Sequence, residues 1–324
     1  MSTSAISVER ARPKGGARTF LSRLKSGDEI AFLVTLACAV SILLVTSLLV
    51  FELFQNSALS RHKFGWAFLF TKTWDPVAGN FGALPYIYGT LVTSGLALLI
   101  GVPLGVGAAI FLAELAPPRI SDALTFLIEL LAAVPSVIFG LLGIFVMIPI
   151  LRSAEPGIRA VFGFTPFFQG PFYGQSLLAA GVVVSIMIIP FIVSISREVL
   201  LAVPQDQREA ALALGATKWE STWDIVVPFA KKGILGSIFL SLARALGETM
   251  AVTMVVGNDP KINTSLFAPG YSIAAVIANE FSEATDDLHV SALIEMGLVL
   301  FALTIIINAV ARIMILTTTQ KGSS

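Results

Sequence analysis

Six predominantly apolar stretches, each about 20 residues or longer, run through the chain near positions 30–51, 89–112, 123–151, 175–195, 235–256 and 290–315. A stretch of that length crosses a bilayer as a helix, because lipid offers no partner for an open backbone N–H or C=O. The expected fold class is therefore an all-α polytopic membrane protein with six transmembrane helices. Composition agrees, with 13 % charged residues against about 25 % in soluble domains. Net charge is zero, which gives no bulk electrostatic reason to expect nucleic acid. One cysteine, Cys38, and two histidines, His62 and His289, exclude an internal disulfide and leave almost no ligands for a metal, so no metal site is expected.

Residues 1–28 read as a cytoplasmic basic arm carrying Arg10, Arg12, Lys14, Arg18, Arg23 and Lys25. The basic lead and Ala37-Cys38-Ala39 imitate a secretory signal, but the apolar run continues to Phe51, so the first helix is expected to stay uncleaved. Residues 29–316 form the transmembrane domain, with a loop at about 204–228 and an outer amphipathic loop at about 258–288; 317–324 is a short tail. Two aromatic-rich segments, 52–88 with Trp66, Trp74 and Tyr86 and 152–174 with six Phe or Tyr, are expected at headgroup level. Gly101, Gly105 and Gly107 in the second span permit close helix contact. In the outer loop Ile273, Val276, Ile277, Phe281 and Ala284 recur at helical spacing, which predicts a short amphipathic helix against the membrane or the protein's outer face. Lys and Arg number fourteen on the side of the termini and six on the other, which places both termini in the cytoplasm.

The fifth stretch carries Ser237, Ser241, Arg244 and Glu248, which fall on one face of a continuous helix. Arginine at mid-bilayer costs at least about 2.5–3.5 kcal/mol, so it faces protein or a watery path. Two readings stand: a structural ion pair one turn apart, or a polar path for a solute. The third stretch carries Glu129, Pro135 and Ser136; the proline removes a backbone hydrogen bond, and the carboxylate needs a partner or water.

The 204–228 loop has its own grammar. Pro204 opens a helix through Glu209-Ala210-Ala211, and Gly215 closes it. Thr217 and Glu220 have capping-box spacing for a second helix, expected to end at Pro228. Either this is a solvated connection, or it is a projection that another protein grips. Glu209-Ala210-Ala211, Gly215 and Ile225-Val226-Val227-Pro228 resemble the EAA loop of bacterial ABC importer permeases, with Val227 where leucine is usual. In that family the loop docks in a cleft of the ATPase subunit. Residues 244–258 (Arg-Ala-Leu-Gly-Glu-Thr-Met-Ala-Val-Thr-Met-Val-Val-Gly-Asn), 129–136 and 278–284 are similar to the permeases of phosphate-specific members.

The resemblance implies a type I importer-like permease with a second permease subunit (PstA-like), a dimeric ATPase (PstB-like) and an extracytoplasmic phosphate-binding protein (PstS-like). ATP and Mg would be bound by the partner; this chain has no Gly-Lys dipeptide and hence no Walker A loop. On this reading Arg244, Glu248, Ser237, Ser241, Glu129 and Ser136 line the substrate path, and Glu209, Ala210, Ala211 and Gly215 form the ATPase-coupling surface. Arg244 would hold the anion while Glu248 keeps it from holding too tightly. The competing readings are a membrane component that chiefly signals phosphate starvation, and a permease for another oxyanion such as sulfate or molybdate. An intramembrane enzyme using Glu129, Glu248 or His289 is disfavoured, because no nucleophile and base stand at a recognisable spacing.

Overall fold

A computed structural model describes residues 28–320, with side chains from 30 to 313; the basic arm and the last four residues lie outside the described residues. The chain divides into two compact units, Met1–Glu52 and Leu53–Ser324. The described part of the first is most of α1 (Asp28–Asn56). No proline or glycine interrupts α1, and its hydroxyls turn inward: Thr35 Oγ1 donates to the Ala31 carbonyl at 2.9 Å and Ser47 Oγ to Leu43 at 2.8 Å. These hydroxyls are thus satisfied within the helix itself.

The second unit opens with two short helices, α2 (Ala58–Phe64) and α3 (Ala67–Phe70), then the long α4 (Leu84–Ile110), which runs on through a π-turn, Phe111–Leu115. α5 (Pro118–Ala132) follows. α6 (Ser136–Leu142), a π-turn at Gly143–Met147 and α7 (Ile148–Phe162) together make one span. Next come α8 (Leu177–Leu201), α9 (Gln205–Ala213), α10 (Lys218–Ser221), α11 (Val227–Leu246), α12 (Met250–Val255), α13 (Ile273–Glu280) and α14 (Asp287–Gln320). Among the described residues, six segments are long and apolar enough to cross a membrane: 30–56, 84–115, 136–162, 177–201, 218–246 and 287–313.

α8 is the hub of the unit. Val183, Val184, Met187, Ile188 and Ile192 are all buried. It packs closely on α4, where a Cβ added at Gly105 would sit 2.8 Å from the Ile192 side chain. Gly101 meets Ile188 in the same way, whereas Gly107 faces open space and plays no part in this packing.

Three expectations about the spans need correction. The third does not begin near Ala123. Pro135 has no N–H and disfavours helix at Val134, so α5 ends at Ala132 and a new helix starts at Ser136. That span then absorbs residues 152–162, expected in a loop, with Glu155 and Arg159 paired at 2.7 Å one turn apart. The fifth span is displaced towards the N-terminus. The helix begun at Lys218 continues past Pro228 as α10, the π-turn Thr222–Val226 and α11, and it stops at Leu246 rather than Val256. A proline is tolerated there because the wider turn before it already breaks the α-helical bonding register. The chain end is helical to Gln320, so the tail expected at 317–324 starts later.

The outer aromatic segments divide as well. Trp66 is 83 % exposed, but Phe68, Phe81 and Tyr86 are fully buried in a second core with Tyr271, Ile273, Val276, Leu293 and Met296. α13 is therefore inserted into the protein rather than laid on its surface, with Ile273 to Val276 all buried. It is pinned there by Glu280, whose Oε2 accepts from Trp74 Nε1 at 2.8 Å and lies 3.0 Å from His289 Nε2. Burial also pushes the Tyr271 phenol up from its ordinary value, although the Asn279 amide donating to its oxygen works the other way.

Candidate functional site: a helix break and a loop anchor

Arg244 stands in the last turn of α11 and Glu248 just beyond it. Because the helix ends at Leu246, the one-turn ion pair open to a continuous helix does not form. Glu248 Oε1 accepts instead from the Ala251 N–H at 3.2 Å, so the carboxylate caps the first turn of α12. The Arg244 guanidinium lies 4.0 Å above the ring of Phe191, on α8, and remains exposed at the surface of this chain. Its N–H donors have no acceptor among the described residues. An aromatic face holds a cation without using its N–H edges, which leaves them available to an anion.

The other expected path residues are distributed. Ser237 is fully buried; its Oγ donates to the Ile234 carbonyl at 2.8 Å and lies 2.7 Å from Ser196 Oγ, joining α11 to α8. Ser241 is 1 % exposed and its hydroxyl has no partner among the described residues. Glu129 is exposed in the last turn of α5, and Ser136 is half-buried at the start of α6. The structure brings the two helix restarts together. A Cβ at Gly140 would meet Met254 and Ala251, and one at Gly143 would meet Val255, so α6 and α12 run side by side in the same direction. At the start of α12 the Glu248 carboxylate already takes one of the open N–H groups, that of Ala251.

At the α9 loop, Leu214 N bonds to Ala210 O, Gly215 N to Leu212 O at 3.0 Å and Ala216 N to Ala211 O at 3.1 Å. With Gly215 at φ 92° this is a Schellman stop. The capping box forms as well: Thr217 N donates to Glu220 Oε2 at 2.7 Å, and Glu220 N to Thr217 Oγ1 at 3.3 Å. Glu209 and Ala210 are exposed, Ala211 faces inward at 9 %, and Leu214, Trp219 and Trp223 present apolar surface at 90, 53 and 46 % exposure.

One contact here escaped the sequence reading. Arg208 forks onto Glu114, Nη2 to Oε1 at 2.8 Å and Nε to Oε2 at 3.3 Å, and Nη2 also donates to the Leu200 carbonyl at 2.7 Å. Nη1 donates to the Val203 carbonyl. The two side chains are 19 % and 9 % exposed. Neither Arg208 nor Phe191 carries a signal in the sequence beyond a charged or aromatic residue near a span end.

Residues 101–316 match the family described as binding-protein-dependent transport system inner membrane component. The chain belongs to that family. It is a multi-pass inner membrane component of an ABC-type importer, in which a separate subunit hydrolyses ATP and a binding protein takes part. The relatives sharpen this. "Phosphate transport system permease protein PstC" of Mesorhizobium japonicum is 45 % identical over 294 residues, 89 % of this chain and 90 % of that protein. The protein of the same name from Xylella fastidiosa is 46 % identical over 262 residues, 79 % of this chain and 81 % of its own length. Among solved structures, a bacterial alginate ABC transporter in complex with its pentasaccharide-bound periplasmic protein aligns with TM-score 0.56. That alignment covers 89 % of this chain and 96 % of the other at 15 % identity, and it shows the same fold.

Proposed function

We propose that this chain forms half of the transmembrane path of an ATP-driven phosphate importer. The observation that carries the proposal is the Arg244 guanidinium, held on Phe191 beside a break in its own span, with no carboxylate partner among the described residues. A tetrahedral oxyanion arriving there finds charge and directed N–H donors together. Two relatives at 45 and 46 % identity are named for phosphate transport, which favours phosphate over sulfate or molybdate as the cargo.

The path on this reading includes Glu248 and Glu129, whose negative charge limits how long the anion stays. Ser136 offers a hydroxyl and a helix-start N–H. Ser237 holds α11 against α8 through Ser196 and so positions Arg244 from behind, while Ser241 keeps an uncommitted hydroxyl one turn before Arg244. Both termini and the α9 loop lie in the cytoplasm. Glu209, Ala210 and Gly215, with the exposed tryptophans nearby, meet a PstB-like ATPase. A PstA-like permease completes the path, and a PstS-like protein delivers phosphate from outside. ATP and Mg belong to the ATPase.

The test is uptake of radiolabelled phosphate by the whole transporter in proteoliposomes. Arg244→Gln keeps size and hydrogen-bonding capacity but removes the charge. It is expected to lower uptake about 10- to 100-fold, the equivalent of one charge-assisted hydrogen bond, with all subunits still co-purifying. Normal uptake by that variant would make Arg244 a structural residue and end the proposal.

A further inference from the structure

Away from Arg244 and α9, a groove of about 690 Å³ is cut into the second unit between α14 and the α2–α4 side. Its volume lies within the ordinary range for small-molecule sites, roughly 300–1,000 Å³. One wall is a single face of α14, stepping from Glu295 through Leu298, Val299, Ala302 and Leu303 to Ile306. At about 1.5 Å per residue this face is about 16 Å long, close to the hydrocarbon depth of one leaflet, about 15 Å. The opposite wall includes Leu69 and Ile87.

All the charge is at one end. Glu295 lines the groove yet is only 6 % exposed; the Ser60 hydroxyl and the Arg61 guanidinium lie near its carboxyl group, and its Oε2 has no hydrogen-bond partner among the described residues. A buried carboxylate oxygen left open carries a desolvation cost that a donor would remove. Arg61 lines the same groove. It is held in place by its Nε bond to Ser57 Oγ at 3.0 Å and by its stacking 3.6 Å over Phe54. The occupant that fits must carry a cationic N–H donor beside an anion, on top of a long apolar chain. Fatty acids and phosphatidylglycerol bring an anion without the cation; a quaternary choline brings the cation without an N–H.

We infer that this groove is a binding site for an aminophospholipid of the phosphatidylethanolamine type. Its primary ammonium donates to Glu295, its phosphodiester faces Arg61, and one acyl chain runs down the α14 face to Ile306. The inference uses nothing about the cargo, so it stands or falls apart from the phosphate reading.

The test uses the assembled transporter in nanodiscs of mixed phosphatidylethanolamine and phosphatidylcholine, with retained lipid measured by native mass spectrometry after transfer to mild detergent. The wild type is expected to retain the primary amine lipid over the choline lipid by about fivefold, the difference between a charge-assisted and a weaker contact. Glu295→Gln should abolish the preference, and Ala302→Trp, which fills the groove, should remove the lipid altogether. A photo-crosslinker at Leu303 in the otherwise unaltered chain is expected to capture lipid. Equal retention of the two lipids by the wild type, an unchanged preference in Glu295→Gln, or capture of a polypeptide at Leu303 would each overturn the inference.

Discussion

At the α9 loop Arg208 is closed: two nitrogens fork onto Glu114, and two carbonyls, of Leu200 and Val203, accept from it as well, so four of its five N–H donors are engaged. At the α11–α12 break Arg244 is open: its charge rests on the Phe191 ring, and the nearest carboxylate in sequence, Glu248, is engaged with the Ala251 N–H. The two sites hold the same functional group. One locks a surface helix to the ends of two spans, α4 and α8. The other keeps donors free where a solute could use them. A satisfied arginine positions, whereas an unsatisfied one is available to bind.

This contrast can be broken experimentally, and Arg208 should give the largest effect. Arg208→Met leaves Glu114 buried without its partner and is expected to cost about 3–5 kcal/mol. It should be read as a lowered thermal midpoint and loss of the ATPase from the purified complex. Pairing it with Glu114→Leu should recover most of the midpoint; if the double variant is as unstable as the single one, the bridge is not what anchors α9.

Arg244→Gln should then do the opposite, leaving the midpoint and the complex intact while uptake collapses as stated above. A fall in midpoint comparable to that of Arg208→Met would erase the distinction between the two arginines. Phe191→Leu tests how Arg244 is held. It removes a cation–π contact worth about 0.5–1 kcal/mol, so apparent phosphate affinity should weaken about two- to fivefold. The smallest effect is expected from Glu248→Gln, which keeps an oxygen for Ala251 N–H but removes the charge opposing the anion. Its apparent KM for phosphate should fall together with the maximal rate, since a tighter stop releases more slowly; a raised KM would contradict that role.

Much of the architecture was legible because it rests on local rules. Long apolar runs located the six spans, and a proline, a glycine and a Thr–Glu spacing located the starts and stops around α9, each visible within a few residues. The errors came where one local rule competed with another. Pro135 and Pro228 look alike in sequence, yet the first ends a helix and the second is carried through a π-turn. The alternation of Ile273, Val276 and Ile277 marks a helix without saying what it packs on, and here it is the second core rather than the membrane. For the candidate site, the sequence singled out Arg244 and Glu248 but assumed the continuous helix that would have paired them.

By itself, then, the sequence determined how many times the chain crosses the bilayer, where the helical loop around α9 lies and which residues carry charge inside apolar surroundings. Those are consequences of solvation and of hydrogen bonds between near neighbours. Only the tertiary structure decided which charges are quenched, because Arg208 and Glu114 stand 94 residues apart and Arg244 and Phe191 belong to different spans. Whether an arginine acts as a strut or as a ligand depends on the acceptors that packing brings to it, and packing is settled between helices rather than along them.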